Sequence, residues 1–179
     1  MRADAARNLD AVLQTGARLL ARDPGTSIAV IAEAAGVDRR TVYRHFKTRE
    51  ALLAAVHEAK LDACEKVLAE ARLTEAPVMA ALHRYAEGII TVSRRWPVDV
   101  QQVRDQAAAD RLGRLIEQLD AFTARAVREQ VIRPGLPDRW ARSLLIHLTN
   151  VASHEMPELS PAQGADMVVQ SLITGLGPD

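Results

Sequence analysis

The stretch that decides the fold runs from Ser27 to Phe46 and reads SIAVIAEAAGVDRRTVYRHF. Two short runs of helix-forming residues flank Gly36, the residue type that best adopts the left-handed backbone at a helix end. Ser27 and Asp38 are polar residues of the kind that cap helix N-termini, so we predict that a helix follows each of them. Two short helices around a glycine turn are typical of a helix-turn-helix, whose second helix enters the major groove of DNA.

The second of these helices has an apolar inner face and a cationic outer face. Val42 and Phe46 are four residues apart and therefore face inward together. Residues 39–49 contain five Lys or Arg and no acidic residue, although the whole chain holds 23 basic and 23 acidic residues. A helix with this outer face is suited to bind a polyanion.

Several motifs in this region resemble the N-terminal signature of the TetR family of bacterial transcriptional regulators, over about residues 5–55. The matching motifs are Thr26-Ser27, Ile31-Ala32, Ala35-Gly36-Val37, Thr41-Val42-Tyr43, His45-Phe46-Lys47 and Ala51-Leu52. Asp38 stands where the family often has Ser, and Arg40 stands where a small residue is common. The first change keeps a capping side chain, and the second adds a cation to the predicted DNA-binding face.

The resemblance implies a sequence-specific transcriptional regulator, expected to be a repressor that a small-molecule effector releases from a palindromic operator. It implies a helix-turn-helix DNA-binding domain over residues 1–47 and a helical effector-binding and dimerisation domain over residues 48–179. It further implies a homodimer formed through the last two helices, at about residues 138–153 and 161–174. Dimerisation is favoured independently, because one short recognition helix contacts too few base pairs.

The predicted DNA contacts divide into base-reading and phosphate-binding side chains. The base-reading set consists of Arg39, Arg40, Thr41 and Arg44. The phosphate-binding set consists of Ser27, Tyr43, His45 and Lys47, with Thr26 beside them. Whether Arg39 or Arg40 reads a base rather than a phosphate stays open, and Tyr43 has an alternative as a partly buried core residue.

Apolar residues recur at helical spacing along the rest of the chain, so we predict an all-α protein of about nine helices. A long fourth helix should run from Thr48 to about Ala71 and link the two domains. A polar sixth helix is expected at about residues 98–108, and a seventh helix should show its first apolar residue at Leu112. Asp138 should cap the eighth helix, and Ser160-Pro161 should start the ninth.

The second domain should bind the effector through polar or aromatic residues that stand among apolar ones. The candidates are His83, Tyr85, Trp96, Gln102, Phe122, His147 and Asn150. His147 and His154 lie seven residues apart with Glu155 beside the second, a spacing that a metal could use. Such histidines more often serve in a core or an interface, so we predict no metal and no cofactor.

Other function classes have little support in the sequence. It contains no phosphate-binding glycine loop, no G-x-S-x-G elbow and no H-E-x-x-H pair, so an enzyme is not expected. No secretory signal or membrane-spanning run is visible, and a single cysteine, Cys64, fits a reducing cytoplasm. The alternative to a regulator is an architectural DNA-binding protein without a ligand, which would bind most sequences similarly.

Overall fold

The computed structural model describes residues 2–100 and 105–177, with side chains from residue 6 onward. The described residues contain eight α-helices and no strand, which confirms the all-α class with nearly the expected number of helices. The helices are α1 Arg2–Arg22, α2 Ile28–Ala34, α3 Arg39–His45, α4 Arg49–Ala71, α5 Val78–Arg95, α6 Gln106–Arg128, α7 Trp140–His154 and α8 Pro161–Leu176.

The chain divides into two compact units. The first, which we call the reader unit, comprises Met1–Asp62 and Arg95–Ala109, and the second, the body unit, comprises Ala63–Arg94 and Asp110–Asp179. Helix α4 contributes its first part to the reader unit and its last part to the body unit. The expected boundary of the DNA-binding domain at residue 47 remains a prediction.

The helix starts at α2 and α3 follow the local capping signals. The Ser27 hydroxyl accepts a hydrogen bond from the Val30 amide at 3.3 Å, and the Asp38 carboxylate accepts one from the Thr41 amide at 3.2 Å. Gly36 has a φ of +66°, the left-handed conformation that only glycine adopts at little cost. The two predicted caps and the glycine turn are therefore confirmed.

The core of the reader unit contains buried apolar side chains from its first four helices. They include Val12, Ala17, Leu20, Ile28, Ile31, Ala32, Val42, Leu52, Val56 and Leu61. Burial of each Val, Leu or Ile side chain in this set contributes about 1.5–3 kcal/mol relative to exposure. This core fixes α3 in place without using any of its polar residues.

In the body unit, α4 and α5 approach closely at Gly88. A Cβ atom built on Gly88 would lie 2.6 Å from Val67 Cγ1, closer than real side chains come. Any larger residue at this position would push the two helices apart. Helices α7 and α8 pack against each other, and α8 begins with a capping box in which Ser160 and Gln163 bond reciprocally.

Two helix starts differ from the expectation. Val98 and Asp99 are not helical and residues 101–104 lie outside the described residues, whereas Asp105 accepts a hydrogen bond from the Ala108 amide and starts α6 at Gln106. Asp138 does not cap α7. The N-cap is Arg139, with a left-handed φ of +64° and no side-chain bond, because a turn from Pro137 sets the chain direction first.

Candidate DNA-binding surface

Helix α3 presents its polar residues outward because two apolar residues anchor its other side. Val42 is only 2% exposed and Phe46 is also buried, so the predicted inward pair is confirmed. Most of the predicted DNA contacts are exposed: Ser27, Arg39, Arg40, Tyr43, Arg44, His45 and Lys47. Thr26 and Thr41 are half-buried. Tyr43 is 39% exposed, so a large part of its ring is available to a ligand.

Four cations on and beside α3 are not used within the protein. Arg39, Arg40, Arg44 and Lys47 have no hydrogen-bond or ion-pair partner among residues 6–100 and 105–177. Exposed guanidinium groups of this kind can bind guanine edges or phosphates with two parallel hydrogen bonds. The surface thus carries positive charge that the fold itself leaves uncompensated.

The fifth basic residue of the stretch serves a different purpose. Arg49 Nη1 donates to the Pro24 carbonyl at 2.7 Å, and its Nη2 lies 3.1 Å from Glu50 Oε1. Hydrogen bonding to its own backbone and to Arg49 lowers the pKa of Glu50. Arg49 therefore ties the start of α4 to the turn before α2 and is less available to DNA than the other four cations.

The turn before α2 also orients the two predicted hydroxyl contacts. Thr26 donates its hydroxyl proton to the Asp23 carbonyl at 2.8 Å, while Ser27 accepts from an amide and keeps its proton. Since a phosphate oxygen needs a donor, Ser27 is better prepared to bind it than Thr26 in this conformation. One residue that the sequence analysis did not single out is Val30, an exposed apolar residue on α2. Val30 does not share the helix face of Ile28 and Ile31, so its exposure could have been predicted from the sequence.

The seven predicted effector contacts lie in different local environments. Tyr85 and Phe122 are buried in the body unit, and burial raises the pKa of Tyr85. Trp96 is buried in the reader unit. The other candidates are half-buried His83, whose Nε2 lies 2.9 Å from Asp166 Oδ1, exposed His147 and Asn150, and Gln102, which lies outside the described residues.

Helices α7 and α8 carry apolar side chains that this single chain leaves exposed. Trp140 is 52% exposed and Met167 55% exposed, and Val151 is also exposed. His147 lies on the exposed side of α7 with its Nδ1 2.7 Å from the Ser143 carbonyl. In the part of the chain that the structure describes, no group of three or more His, Cys, Asp or Glu side chains could hold a metal ion.

Comparisons with known proteins point in one direction. Residues 12–56 match the family model described as "Bacterial regulatory proteins, tetR family". The HTH-type transcriptional repressor LfrR from Mycolicibacterium smegmatis is 29% identical, over 95% of this chain and 90% of that protein. The nucleoid occlusion factor SlmA from Marinobacter nauticus is 28% identical, over 73% of this chain and 71% of that protein.

Solved structures extend the similarity to the whole chain. The structure of LfrR in complex with proflavine covers 97% of this chain and 99% of its own, with 25% identity and a TM-score of 0.73. The ketosteroid regulator KstR2 of Mycobacterium tuberculosis covers 94% of each chain with a TM-score of 0.77, and at 16% identity it supports the fold alone. No helix in the described ranges is long and apolar enough to cross a membrane.

Proposed function

We propose that the chain is a DNA-binding transcriptional regulator of the TetR family, a repressor which a small-molecule effector releases from a palindromic operator. The similar protein LfrR is a transcriptional regulator and not an enzyme. The family sets the general activity, DNA-bound regulation of transcription. The residues that read this operator and the class of effector are specific to this chain.

The observation that carries the proposal is the set of four cations on and beside α3 that have no partner among the described residues, with Val42 and Phe46 anchoring the other side of the helix. If these charges were buried or paired within the protein, they would not be available to bind a ligand. A short helix with exposed arginines at its start can insert into the major groove, because its N-terminal residues then meet the base edges. Arg39 and Arg40 occupy the first two positions of α3.

We assign base reading to Arg39, Arg40, Thr41 and Arg44, and phosphate binding to Ser27, Tyr43, His45 and Lys47, with Thr26 as a weaker contact. The exposure of these side chains supports the assignment. Bidentate contacts from arginine to guanine supply specificity, whereas contacts to phosphate fix the position of the protein on the duplex. We take residues 1–47 as the DNA-binding domain and residues 48–179 as the domain for effector binding and dimerisation.

We propose a homodimer through about residues 138–153 and 161–174. Support comes from Trp140, Val151 and Met167, three apolar side chains that the isolated chain leaves in water. Covering them with a second copy would bury apolar surface, which favours association. Sedimentation of wild type and of Trp140→Ala tests this part, and the variant should dissociate at a higher protein concentration than wild type.

The effector should bind in the body unit, where Tyr85 and Phe122 are buried and His83 is half-buried. The LfrR structure with proflavine is an example of a similar protein that binds a small aromatic molecule. For this chain we propose an effector of unspecified chemistry whose binding shifts α4 and so changes the spacing of the two recognition helices. Cytoplasmic location follows from the proposed target, the bacterial chromosome.

A second candidate function is DNA binding without an effector. The similarity to a protein named nucleoid occlusion factor favours keeping this candidate, since that name describes an action on the nucleoid. An architectural protein binds most DNA similarly, whereas a specific regulator prefers its own site by a factor of about 10³ or more. The two candidates therefore differ in a measurable ratio.

The deciding experiment is a selection of purified protein on sheared genomic DNA from its source at physiological salt, followed by sequencing of the retained fragments. We expect a few palindromic sites with half-sites about one helical turn apart. Many dispersed sites would favour the second candidate. Uniform retention on all fragments would contradict the assignment of a specific operator.

A further inference from the structure

Tyr85 on α5 is buried in the body unit, but its hydroxyl group has no partner there. The residue is only 3% exposed, and no hydrogen bond joins its hydroxyl to any of residues 6–100 and 105–177. Buried tyrosines usually direct this group to a hydrogen-bond partner, because a hydroxyl that loses water without a replacement costs free energy. The described part of the fold thus holds a buried polar group that it does not itself use.

Other buried hydroxyl groups of the body unit are treated differently. Thr123 donates to the Asp120 carbonyl at 3.0 Å, and Thr149 donates to the Leu145 carbonyl at 3.0 Å. Ser153 donates to the Thr149 carbonyl at 2.6 Å. Each of these hydroxyls therefore binds a carbonyl of its own helix, three or four residues earlier in the chain.

Ser93, two turns after Tyr85 on α5, is also buried without a hydrogen-bond partner in the described part of the chain. A serine hydroxyl can reach the carbonyl four residues earlier by rotation about one side-chain bond. The Tyr85 hydroxyl has no such option, because the rigid ring holds it away from the backbone of its own helix. Tyr85 is thus the group that most needs a partner from outside α5.

The interior of the body unit offers no counter-charge to a charged ligand. Among the described residues of this unit, no Asp, Glu, His, Lys or Arg side chain is buried. The half-buried arginines are engaged within the protein, since Arg125 donates to two carbonyls and Arg111 pairs with Glu65. Moving an ion into such an interior costs free energy that no opposite charge offsets. The interior therefore favours an uncharged ligand.

The Tyr85 hydroxyl can act as a donor to such a ligand. Burial, and after it the electrostatic interaction with Cys64, raises the pKa of Tyr85, so the phenol keeps its proton at neutral pH. A protonated phenol donates one hydrogen bond. A ligand that complements it must therefore bring an acceptor.

A second donor on α5 belongs to a different side of the helix. Arg94 Nε is buried without a hydrogen-bond partner among the described residues, although the two Nη atoms of Arg94 donate to three carbonyls. These carbonyls lie at the C-terminal end of α7 and in the turn after it, where partial negative charge compensates the guanidinium. Arg94 follows Tyr85 by nine residues and so points to about the opposite side of α5. A ligand of Tyr85 does not need to satisfy it.

Apolar residues surround Tyr85 along its own helix. Tyr85 shares a face of α5 with Gly88, the position at which α5 approaches Val67 of α4 most tightly. Leu82 and Ala86, on either side of Tyr85, are both buried. A small number of polar groups within apolar walls is typical of sites for small molecules.

We propose that the Tyr85 hydroxyl is a hydrogen-bond donor of the effector site, and that the effector is an uncharged, largely apolar molecule with an oxygen acceptor, such as a ketone or an ether. This inference rests on the proposed function, because it specifies the effector of the proposed repressor. It also distinguishes the chain from LfrR, whose structure contains proflavine, a dye that is positively charged at neutral pH.

The test measures binding of three probes of similar three-ring size to the full-length protein by calorimetry at pH 7. Xanthone is an uncharged ketone, proflavine carries a positive charge, and xanthene-9-carboxylate carries a negative charge. We expect xanthone to bind at least about tenfold more tightly than either charged probe. Tighter binding of a charged probe, or no binding of xanthone, would overturn the inference.

Tyr85→Phe removes the hydroxyl and keeps the ring. We expect it to weaken xanthone binding about fivefold, because one hydrogen bond is lost, and to raise Tm by about 2 °C, because an unpartnered buried hydroxyl is removed. Thr123→Val is the matched control, since it removes a buried hydroxyl that has a partner. It should lower Tm and leave xanthone affinity unchanged. A Tyr85→Phe protein that behaves in this second way would show a structural hydroxyl and contradict the assignment.

The binding measurements contain no DNA, so their result does not depend on an operator. Failure of the protein to select any operator from genomic DNA would contradict the proposed function. Failure of xanthone to bind, or an unchanged xanthone affinity in Tyr85→Phe, would contradict only the assignment of the effector class and of Tyr85.

Discussion

Three arginines of α3 and two arginines of the body unit occupy opposite environments. Arg39, Arg40 and Arg44 are exposed and have no partner among the described residues. In the body unit, Arg94 donates to the carbonyls of Ala152, Met156 and Leu159, and Arg125 donates to those of Leu73 and Ala76. The same residue type is thus left available to an external ligand in one region and binds the protein's own backbone carbonyls in the other.

Charge counts alone therefore do not locate a binding surface. Arg94 satisfies carbonyls at the C-terminal end of α7, where positive charge is favourable, and Arg125 satisfies carbonyls in the turn between α4 and α5. Arg111 pairs with Glu65 through two contacts of 2.9 Å, and this hydrogen bonding lowers the pKa of Glu65. What distinguishes the reader is that four exposed cations without a partner among the described residues lie close together in sequence, on and beside α3.

The largest expected effect is on stability, and it separates an arginine that binds backbone carbonyls from one that does not. Arg125→Met should lower the free energy of unfolding by about 2–3 kcal/mol, because it leaves the Leu73 and Ala76 carbonyls without their charged donor. Arg44→Met should change it by no more than about 0.5 kcal/mol. Urea unfolding measures both. Arg128→Met, an exposed position on α6, serves as the control, and equal losses in all three would contradict the contrast.

The next effect concerns DNA and not stability. Arg40→Ala should weaken operator binding by about 1–3 kcal/mol and relax the preference at one operator position, because it removes a bidentate contact to a base. Binding to a set of operators with single base changes measures this. An unchanged preference at every position, together with an equal loss on random DNA, would reassign Arg40 to phosphate binding.

A smaller effect on DNA affinity distinguishes a phosphate contact from a base contact. Lys47→Ala should weaken operator and random DNA alike and reduce the slope of log affinity against log salt by about one, since one phosphate contact and its released counterion are lost. Titration at several salt concentrations measures the slope. Arg49→Ala offers a comparison, because Arg49 is engaged by the Pro24 carbonyl and should change the slope less.

The smallest effect is a pH dependence of stability at His57. Burial, then the charge of Lys60, lowers the pKa of His57 from its ordinary value of 6.5. Below that pH the unfolded chain binds the proton more readily than the folded one, so stability should fall as the pH drops from 6.5. His57→Gln should flatten this part of the profile in urea unfolding at several pH values. Exposed His45→Gln should leave it unchanged.

Where sequence-based expectations held, the determining contacts were local. Ser27 and Asp38 bond to amides three residues away, and Gly36 needs only its own backbone freedom. The expected start of α7 was wrong because two local signals compete there. Both Asp138 and Arg139 precede α7, and the turn from Pro137 selected Arg139 as the N-cap. Asp105 similarly started α6 six residues before the first predicted apolar residue, Leu112.

The all-α class, the helix-turn-helix and the outward-facing cations of α3 could be predicted from the sequence. The signals that predict them, helix caps and helical periodicity, act over three or four residues. Only the tertiary structure decided which charges stay free. Arg94, Arg125 and Lys60 find carbonyls 38 to 65 residues away, and such partners depend on how helices pack. No local pattern contains that information, so the folded chain was needed to separate the arginines that bind backbone carbonyls from those left available to a ligand.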